Sequence, residues 1–405
     1  MTLRLAHRVQ RLHASPTVAM TSRAARLREA GRDIISLSAG EPDFDTPEHI
    51  KVAAREALAR GDTKYTPIDG TRQLKQAIVA KLARENGLDY SPEQVLVSNG
   101  AKQSCFNACL ALLEAGDEAI VPAPYWVSYP ELVRLADAEP VIVHTTAEQG
   151  FRMSPEQLAA AITDRTRLLF LNSPCNPTGA VYSRAELAAL GEVLREHPRI
   201  AVLADDIYEH VYWADEPFVS FAAACPHLYD RTITVNGFSK AYAMSGWRLG
   251  YAAGPLPVIK AMTSIQSQST TNASSISQAA AVAALEGDQT CVREMCRAFE
   301  ERHRFVLERM NQIRGFSCVP ARGTFYLFPN VARAMQLKGV KTDVEFCERL
   351  LEEAGVALVP GSAFGEPGHL RISFAASIET LARALERIEA FMEERPGREE
   401  LDPAL

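Results

Sequence analysis

Residues 232–248 read Thr232-Ile233-Thr234-Val235-Asn236-Gly237-Phe238-Ser239-Lys240-Ala241-Tyr242-Ala243-Met244-Ser245-Gly246-Trp247-Arg248. The apolar run at 232–235 predicts a buried strand, and Lys240 then follows shortly after the carboxyl end of that strand. A lysine there offers an amine that can condense with an aldehyde, and Arg248 offers a fork-shaped cation that can hold a phosphate. A lone lysine and a lone arginine on a surface loop are the alternative, so the interpretation depends on the rest of the chain.

Short apolar runs alternate with helical periodicity from about residue 47 to about residue 255. The runs lie at 95–97, 119–121, 141–143, 168–171, 201–204, 233–235 and 249–251. Continuous apolar strands separated by helices imply a mainly parallel sheet that is covered on both faces. Helix starts are marked by Thr46 before Pro47 and by the capping boxes Ser154-x-x-Gln157 and Ser183-x-x-Glu186.

The character of the sequence changes after about residue 285. Helical stretches rich in Glu and Arg follow, with apolar runs at 325–328, 356–359 and 370–374. We therefore expect an α/β protein with a mainly parallel seven-stranded sheet in a large domain at 49–295. A smaller α+β domain is expected from both termini, at 1–48 and 296–405.

Composition and charge limit the possible partners. The 405 residues carry a formal charge of −7, with 47% hydrophobic and 23% charged residues, as in an ordinary globular protein. This balance gives no sign of a basic face that would offset phosphates, so nucleic acid and anionic membranes are not expected as partners. No apolar run reaches the length of a membrane span, and a small-molecule substrate is the simpler expectation.

Cysteine usage and the first residues bear on the compartment. The eight cysteines include no Cys-x-x-Cys pair, so we expect reduced thiols and no metal site. Six arginines precede the first acidic residue, Glu29, which is a composition typical of a transit peptide. Against that, Ser15-Pro16-Thr17-Val18-Ala19 and Gly40-Glu41-Pro42-Asp43-Phe44 are interpreted as parts of the mature fold. We therefore expect a cytoplasmic protein.

Polar segments follow five of the predicted strands. Each begins where an apolar run ends: Ser98-Asn99-Gly100-Ala101-Lys102, Pro124-Tyr125-Trp126, 172–179, Asp205-Asp206-Ile207-Tyr208 and 237–240. In an open α/β sheet, ligands bind outside the carboxyl ends of the strands. The five segments are therefore predicted to converge on one crevice.

The side chains of these segments match the parts that pyridoxal phosphate requires of a protein. Lys240 supplies the amine, and once an amino acid has displaced it, the same amine is placed to move the proton from Cα of the substrate. Asp205 can pair with the pyridine nitrogen and keep the ring cationic. Tyr208 and Asn176 can hydrogen-bond the phenolic oxygen of the ring.

Further residues can hold the phosphate, the ring face and the substrate carboxylate. Gly100 and Ala101 offer backbone N–H groups at a predicted helix N-terminus, and Arg248 adds its guanidinium. Trp126 can lie flat on the pyridine ring. Arg371 can clamp an α-carboxylate through two parallel hydrogen bonds.

Several of these residues also have structural interpretations, which the sequence leaves open. Asp205 and Asp206 can be helix N-cap carboxylates, Trp126 can be plain core, and Arg371 can be a solvated charge or one half of an ion pair. Lys102 is unfavourable beside a helix N-terminus on dipole grounds, so its position hints at a task.

A set of ordered motifs resembles the class I/II aminotransferases of PLP fold type I. The resemblance covers about residues 10 to 390 and is carried by Ala39-Gly40-Glu41-Pro42-Asp43-Phe44, Tyr65, Asn172-Ser173-Pro174-x-Asn176-Pro177-Thr178-Gly179, Asp205-x-x-Tyr208, Ser239-Lys240 with Gly246-Trp247-Arg248, and Arg371. Within that family, the prokaryotic aspartate (aspartate/prephenate) aminotransferase subgroup is the most similar, through Ser15-Pro16-Thr17-Val18-Ala19, Lys102, Pro124-Tyr125-Trp126-Val127-Ser128-Tyr129-Pro130 and Tyr208-Glu209-His210.

The resemblance implies a role for each matching residue. For the cofactor, Lys240 would be the Schiff-base lysine and proton-transfer base, and the other contacts would come from Asp205, Tyr208, Asn176, Gly100, Ala101, Trp126, Ser239 and Arg248. Tyr65 would reach the cofactor phosphate of a neighbouring subunit, which implies a homodimer with shared active sites. The substrate would contact Gly40, Trp126, Asn176 and Arg371. Lys102, with Ser15 and Thr17, would reach the side-chain carboxylate of aspartate, the alternative being that Lys102 merely helps to neutralise the cofactor phosphate.

Three positions depart from the pattern of the subgroup. Cys175 stands where Asn is common. One expectation is that it forms a reactive thiolate at the mouth of a cationic crevice, and the alternative is that it is an inert packed thiol. Gly237 replaces a serine that many relatives use for the phosphate. His13 lies where prephenate-using members tend to have lysine, which weakens prephenate as a substrate.

The expected activity is therefore transamination between aspartate or glutamate and a 2-oxo acid by a ping-pong mechanism. One alternative is an aminotransferase that prefers aromatic, alanine or prephenate substrates. Another is a PLP-dependent carbon–sulfur lyase on the same fold, because fold and cofactor do not fix the reaction. A non-catalytic ligand sensor is a third alternative.

Overall fold

The computed structural model describes residues 3–13 and 16–393 of the chain. The described residues group into two compact units. The larger unit comprises residues within Met1–His13, Glu41–Glu300 and Arg322–Thr324, and the smaller unit comprises residues within Ala14–Gly40, Glu301–Ala321 and Phe325–Leu405. The domain bounds expected from the sequence stay a prediction.

The described residues contain the following strands and helices. The strands are β1 (Ile35–Ser36), β2 (Val95–Ser98), β3 (Glu118–Ala123), β4 (Glu139–His144), β5 (Thr166–Asn172), β6 (Ala201–Asp205), β7 (Thr232–Gly237), β8 (Gly250–Ala253), β9 (Tyr326–Leu327), β10 (Val356–Ala357), β11 (Val359–Pro360) and β12 (Leu370–Ser373). The α-helices are α1 (His7–Gln10), α2 (Pro16–Glu29), α3 (Glu48–Arg60), α4 (Arg72–Lys81), α5 (Ala101–Leu112), α6 (Tyr129–Leu135), α7 (Pro155–Ala161), α8 (Arg184–Arg195), α9 (Phe221–Ala224), α10 (Leu256–Ser267), α11 (Ser275–Glu286), α12 (Thr290–Gln312), α13 (Ala332–Leu337), α14 (Asp343–Arg349) and α15 (Ile378–Glu393). Shorter 3₁₀ turns lie at Pro92–Gln94, Pro226–Arg231, Ser245–Trp247 and Gly361–Phe364, and π-helical turns lie at Leu82–Asn86 and Leu350–Ala354.

The larger unit is built on a seven-stranded sheet in the order β2-β8-β7-β6-β5-β3-β4. The strands from β7 to β4 are parallel, whereas β8 is antiparallel to both of its neighbours. Each apolar run predicted from the sequence lies in or overlaps one of these strands. The prediction of a mainly parallel seven-stranded α/β sheet is confirmed.

Alternate strand residues pack against different sets of helices. Leu96, Phe170 and Leu203 share a core cluster with residues of α5, α6 and α10. Their neighbours Val95 and Val97 pack with residues of α3, α4 and α11. Both faces of the sheet are thus covered, which is why its strands are apolar throughout rather than alternating with polar residues.

Helix starts agree with the sequence in two cases and differ in one. Ser154 with Gln157 and Ser183 with Glu186 form capping boxes at α7 and α8. At α3 the residue before the first helical residue is Pro47, and the Thr46 hydroxyl donates to the carbonyl oxygen of Ala243 at 2.7 Å. The predicted capping role of Thr46 is therefore wrong, because a tertiary hydrogen bond takes its side chain.

The smaller unit is an α+β arrangement, as predicted. β1 pairs in parallel with β10, and β12 lies between β11 and β9 with antiparallel pairing on both sides. Helix α15 buries an apolar stripe that includes Leu381, Leu385 and Ile388. Among the helices of the described chain, none combines the length and apolarity needed to cross a membrane.

Gly250, the first residue of β8, sets how closely the N-terminus of α5 approaches the sheet. A Cβ on Gly250 would overlap with the backbone nitrogen of Ala101 and would lie 2.7 Å from the carbonyl carbon of Gly100. These are backbone atoms, so a side-chain rotation cannot relieve the overlap. The missing side chain therefore lets the first turn of α5 rest on the strand.

Gly250→Ala is expected to lower the free energy of unfolding of the cofactor-free protein by roughly 1–3 kcal/mol, because the first turn of α5 must move away from β8. Urea unfolding measures the change. Gly246→Ala is the matched control, since a Cβ at that glycine meets no heavy atom within 4 Å. Equal stability of the two variants would contradict the role assigned to Gly250.

Candidate active site

The carboxyl edge of the sheet brings together polar residues that are distant in sequence. β5, β6 and β7 are neighbours, and Asn172 of β5 lies in register with Asp205 of β6, which in turn lies in register with Val235 of β7. The chain continues from β7 to Lys240, whose Nζ lies 5.8 Å from the centre of the Tyr208 ring. The parallel strand order therefore places Lys240, Tyr208 and Asp205 at the same edge.

Asp205 is a buried acid held by three surrounding groups. The Tyr129 hydroxyl donates to Oδ2 at 2.7 Å, and the backbone nitrogen of Ile207 donates to Oδ1 at 3.2 Å. Burial raises the pKa of the Asp205 carboxyl from 3.8 to about 6, although the hydrogen bonds from Tyr129 and Ile207 and the charge of Lys240 act in the opposite direction. The carboxyl is thus ionised at neutral pH and responsive to a cation placed against it.

Asn172 connects Asp205 with the segment that carries Asn176. Its side-chain nitrogen donates to the backbone carbonyl of Asp205 at 2.9 Å, and its Oδ1 accepts from the backbone nitrogen of Asn176 at 2.8 Å. Asn176 itself is buried. One amide side chain therefore fixes two of the predicted site segments relative to each other.

The N-terminus of α5 and the guanidinium of Arg248 form an anion cradle. Gly100 precedes the helix with φ of 87°, and a Cβ there would lie 2.6 Å from Nη2 of Arg248. Arg248 is oriented by donation from Nη1 to the carbonyl oxygen of Ser245 at 2.9 Å. A glycine accommodates both the positive φ and the guanidinium beside the N-terminus of α5, and such a site favours an anion.

Lys102 and Trp126 lie beside this cradle. Nζ of Lys102 lies 4.9 Å from the centre of the Trp126 ring, and that ring meets Tyr129 edge to face at 5.3 Å. Partial burial, followed by the nearby positive charge of Arg248, lowers the pKa of the Lys102 amine. A cleft of about 480 Å³ opens here, and its lining includes Asn99, Lys102, Gln103, Arg248 and Thr270.

In the smaller unit, Arg371 and Gly40 meet at Tyr326. The guanidinium of Arg371 lies 4.4 Å from the centre of the Tyr326 ring and 5.0 Å from that of Phe364, and its Nη2 donates to the carbonyl oxygen of Ser38 at 2.7 Å. A Cβ on Gly40 would lie 2.7 Å from the Tyr326 hydroxyl. The aromatic rings therefore hold the plane of the Arg371 guanidinium.

Comparison with known proteins identifies the family. The model of the family described as aminotransferase class I and II matches residues 32–388. This chain belongs to the class I and II aminotransferases.

Individual relatives match over nearly their whole length. An aspartate/prephenate aminotransferase from Nitrosomonas europaea is 51% identical over 396 residues, covering 96% of this chain and 100% of the relative. An aspartate aminotransferase from Geobacillus stearothermophilus is 49% identical, covering 97% of this chain and 100% of the relative. The crystal structure of the aspartate aminotransferase from Rhizobium meliloti superposes with a TM-score of 0.93 at 48% identity, covering 96% of this chain and 99% of that one. The protein is thus a PLP-dependent aminotransferase that acts on an amino acid and a 2-oxo acid, and the fold and family predicted from the sequence are confirmed.

The predicted site residues of this aminotransferase are distributed over both units. Lys240, Asp205, Tyr208 and the cradle are in the larger unit, whereas Arg371 and Gly40 are in the smaller one. Tyr65 lies between α3 and α4 with 91% of its surface exposed. Ser239 is buried beside Lys240. Ser15 lies outside the described residues, and Thr17 lies in α2.

Two interpretations from the sequence are corrected by the structure. Burial raises the pKa of the Cys175 thiol to about 11, so the expectation of a reactive thiolate is wrong. Asp205 and Asp206 are not helix caps, because residues 207–210 form a turn and Asp205 accepts its backbone hydrogen bond within that turn.

The glycine at 237 has a steric explanation. A Cβ there would lie 3.1 Å from each of three atoms: Cα of Gly250, Cδ1 of Ile207 and the carbonyl oxygen of Leu249. The cross-strand pair of Gly237 with Gly250 is therefore tightly packed, and this aminotransferase has no serine hydroxyl at that position.

Sequence reasoning missed Tyr129 and the linking role of Asn172. Tyr129 entered only as part of a motif, and nothing in the local sequence connects it with Asp205, 76 residues later. The one signal that was available for Asn172 is its position at the end of a predicted strand that neighbours the strand of Asp205.

Asp205→Asn is expected to stabilise the cofactor-free aminotransferase above pH 7. Burial raises the pKa of Asp205 in the folded protein from 3.8 to about 6, so its favourable contribution is present below pH 4 and is lost as the pH rises through about 6, a change of about 3 kcal/mol. The asparagine variant lacks this loss. Urea unfolding between pH 4 and pH 8 should show the two proteins converging at pH 4 and separating at pH 8.

The control for this titration is Asp230→Asn, which removes an exposed aspartate of the same unit. A stability difference between Asp205→Asn and the parent that stays constant from pH 4 to pH 8 would contradict the assignment of a buried, titrating carboxyl.

Proposed function

We propose that this aminotransferase transfers the amino group of aspartate or glutamate to a 2-oxo acid in two ping-pong half-reactions. The observation that carries the proposal is the placement of three groups at one sheet edge of the larger unit. These are the buried acid Asp205, the amine of Lys240 and the anion cradle at Gly100 and Arg248.

The residues at this edge suit pyridoxal phosphate. Lys240 would carry the aldehyde, Asp205 would pair with the pyridine nitrogen, and Tyr208 and Asn176 would hydrogen-bond O3′. The phosphate would lie at the N–H groups of Gly100 and Ala101, with Ser239 and Arg248, and Trp126 would cover the ring. When bound, the cofactor supplies an electron-accepting ring and a temporary carrier for the amino group.

Lys240 also has a task in proton transfer. Its amine lies beside Tyr208, where it would move a proton from Cα of the amino acid to C4′ of the cofactor in the first half-reaction and would move one in the opposite direction in the second. Asp205 contributes by keeping a negative charge at the far side of the ring, where Tyr129 holds it in a fixed orientation. The role of Lys240 is general acid–base catalysis, and the role of Asp205 is electrostatic.

Arg371 is proposed to bind the α-carboxylate of every substrate. Its guanidinium lies against Tyr326 and Phe364, so the fork is oriented before a substrate arrives. Gly40 would permit close approach of the substrate, since a larger residue there meets the Tyr326 hydroxyl.

The preference for a second carboxylate is assigned to Lys102, with Ser15 and Thr17. The Lys102 amine lies over Trp126, and the lining of the adjoining cleft includes the cations Lys102 and Arg248 as well as the carboxylate of Glu131. The names of the relatives from Nitrosomonas europaea and Geobacillus stearothermophilus both include aspartate. An aspartate aminotransferase structure from Thermus thermophilus, with a TM-score of 0.91 and 45% identity, was solved with maleate, which is a dicarboxylate.

Prephenate is the second candidate amino acceptor, because it appears in the name of the relative from Nitrosomonas europaea. At the position where a lysine is expected for that use, His13 points its Nδ1 to Glu131 at 3.1 Å. Aspartate with 2-oxoglutarate therefore remains the leading pair.

Assembly and location complete the proposal. The exposed ring of Tyr65 is available to a second subunit, which supports a homodimer with shared active sites, and we place the enzyme in the cytoplasm.

Lys240→Ala is expected to bind pyridoxal phosphate without a covalent bond and to lose essentially all transamination. Borohydride reduction and peptide mapping of the parent should place the cofactor on Lys240. The parent, given one amino acid and no 2-oxo acid, should form one equivalent of product and stop. Continued turnover under those conditions would favour a lyase, and a cofactor mapped to another lysine would remove Lys240 from the site.

Lys102→Met should distinguish two roles of Lys102: binding the side-chain carboxylate of the substrate, or neutralising the cofactor phosphate. Loss of that contact is expected to cost roughly 2–4 kcal/mol, or about 30- to 1000-fold in kcat/KM, for aspartate and oxaloacetate. Alanine and pyruvate should lose little, because they have no second carboxylate. An equal loss for both substrate pairs would mean that Lys102 acts on the cofactor phosphate.

A further inference from the structure

A buried network of polar side chains surrounds Glu209 in the larger unit. The side chains of Lys81 and Glu209 are 1% and 4% exposed, and they form an ion pair between Nζ and Oε1. Asn236 donates to the same oxygen at 2.8 Å, and Asn86 donates to Oε2 at 2.8 Å. Both carboxylate oxygens of Glu209 therefore have hydrogen-bond donors.

The network lies where the pairing of β6 with β7 ends. Register pairing of the two strands runs to Asp205 and Val235, and the backbone nitrogen of Asp206 donates to the carbonyl of Val235 at 2.9 Å. From there the β6 side continues into the turn that contains Tyr208, and the β7 side continues towards Lys240. The hydrogen bond between Asn236 and Glu209 joins the two sides beyond the last paired residues.

The positions of these two residues relate directly to the proposed site. Glu209 follows Tyr208 and lies four residues after Asp205, and Asn236 lies four residues before Lys240. Asn236 also accepts, through Oδ1, from the backbone nitrogen of Gly237 at 2.7 Å. The Asn236 amide thus holds the start of the lysine segment with one end and Glu209 with the other.

We propose that Glu209 and Asn236 are positioning residues that fix the turn carrying Asp205 and Tyr208 relative to the segment carrying Lys240. This inference rests on the proposed function for the assignment of those three residues. Neither Glu209 nor Asn236 needs to touch the cofactor for this role. They affect the reaction by setting the distance between the Asp205 carboxyl and the Lys240 amine.

Lys81 and Asn86 reduce the free-energy cost of burying the Glu209 carboxylate. Burial alone would raise the pKa of Glu209, yet the charge of Lys81, with further help from His210 and Asn86, holds it below its ordinary value. Lys81 ends α4 and Asn86 ends the π-helical turn after it, and Nζ of Lys81 donates to Oδ1 of Asn86 at 2.8 Å. The carboxylate is thus anchored to a second element as well as to β7.

Other charged groups face the network and define its pH response. Glu85 lies 3.7 Å from Nζ of Lys81, and His210 lies 2.9 Å from Glu85 and 3.6 Å from Glu209. The buried Asp206 carboxyl is close enough to interact with Glu209 and Lys81, and its neighbour Asp205 adds a further negative charge. The parent protein carries all of these groups, so each variant is compared with the parent at the same pH.

The first experiment compares Asn236→Ala with Asn107→Ala as holoenzymes and in cofactor-free form. Asn107 is a matched control, because it is a buried asparagine of the same unit that donates to one side chain, Gln266, at 3.1 Å. For Asn236→Ala we expect kcat to fall on the order of 10-fold, with KM for aspartate within about 2-fold, because the carboxylate contacts are unchanged. Affinity for pyridoxal phosphate should also fall, while the melting temperature drops no more than in the control.

The second experiment uses Asn236→Asp and varies the pH. A carboxylate opposite Glu209 repels it, but one shared proton converts the pair into a hydrogen bond and restores the connection. The kcat of this variant relative to the parent should therefore rise as the pH is lowered from 9 to 6. Asn236→Ala should show no such recovery. Asn236→Ser, whose side chain is too short to reach Glu209, replaces the alanine variant if that variant does not fold.

Two results would overturn the inference: a kcat for Asn236→Ala equal to that of Asn107→Ala, or a deficit in Asn236→Asp that is independent of pH. Mapping the reduced cofactor to Lys240 in each variant keeps this result separate from the proposed function. If the cofactor is on Lys240 and kcat is unchanged, the positioning role alone fails. If the cofactor lies on another lysine, the site assignment fails with it.

Discussion

A carboxyl group at the buried end of a parallel strand is the constraint on which the proposed site depends. Asp205 ends β6 where burial raises its pKa to about 6, so ionising it costs free energy in the folded protein. Tyr129 and the backbone of Ile207 reduce that cost by donating hydrogen bonds, and the charge of Lys240 reduces it further. A cationic ring nitrogen would reduce it most, because it would supply a full opposite charge in direct contact. The free-energy cost of ionising Asp205 and the attraction of the site for a cationic ring then have the same physical origin.

The next residue, Asp206, lies just after the end of β6 and is a second acid whose ionisation is disfavoured. Asp206 is also buried, and burial together with the charges of Glu209 and Asp205 raises its pKa well above the ordinary value. The charge of Lys81, with further contributions from His210 and Asn86, lowers the pKa of Glu209 instead. The three acids within these five residues therefore differ: ionisation of Asp206 is disfavoured, Glu209 is paired within the protein, and Asp205 is the acid that we propose to interact with a ligand.

The sequence predicted the strands well because each is a continuous apolar run, and this pattern follows from a sheet covered on both faces. Lys240 and Asp205 were predicted as site residues because a parallel topology gathers strand ends at one edge. Tertiary partners were harder to predict. The hydroxyl of Tyr129 and the carboxylate of Asp205 are brought together only by folding. Thr46 was expected to cap a helix, but its hydroxyl donates to the carbonyl oxygen of Ala243 instead. Cys175 was misjudged because burial and the charge of Asp205 raise the pKa of its thiol, and the sequence shows neither contact.

Two glycines, Gly250 and Gly100, shape the anion cradle together with the charged Arg248. Gly250 allows the first turn of α5 to rest on β8, and Gly100 then leaves space for the guanidinium of Arg248 beside that turn. Arg248 itself adopts a positive φ of 53°, which turns its side chain back towards the helix while the chain enters β8. The backbone part of the cradle is made by the close approach of α5 to β8, so its geometry is fixed by the sheet, and the Arg248 side chain completes it. A phosphate bound there would be held at a constant distance from the strand edge, and this distance determines where the ring of a phosphate-anchored cofactor lies relative to Asp205 and Lys240.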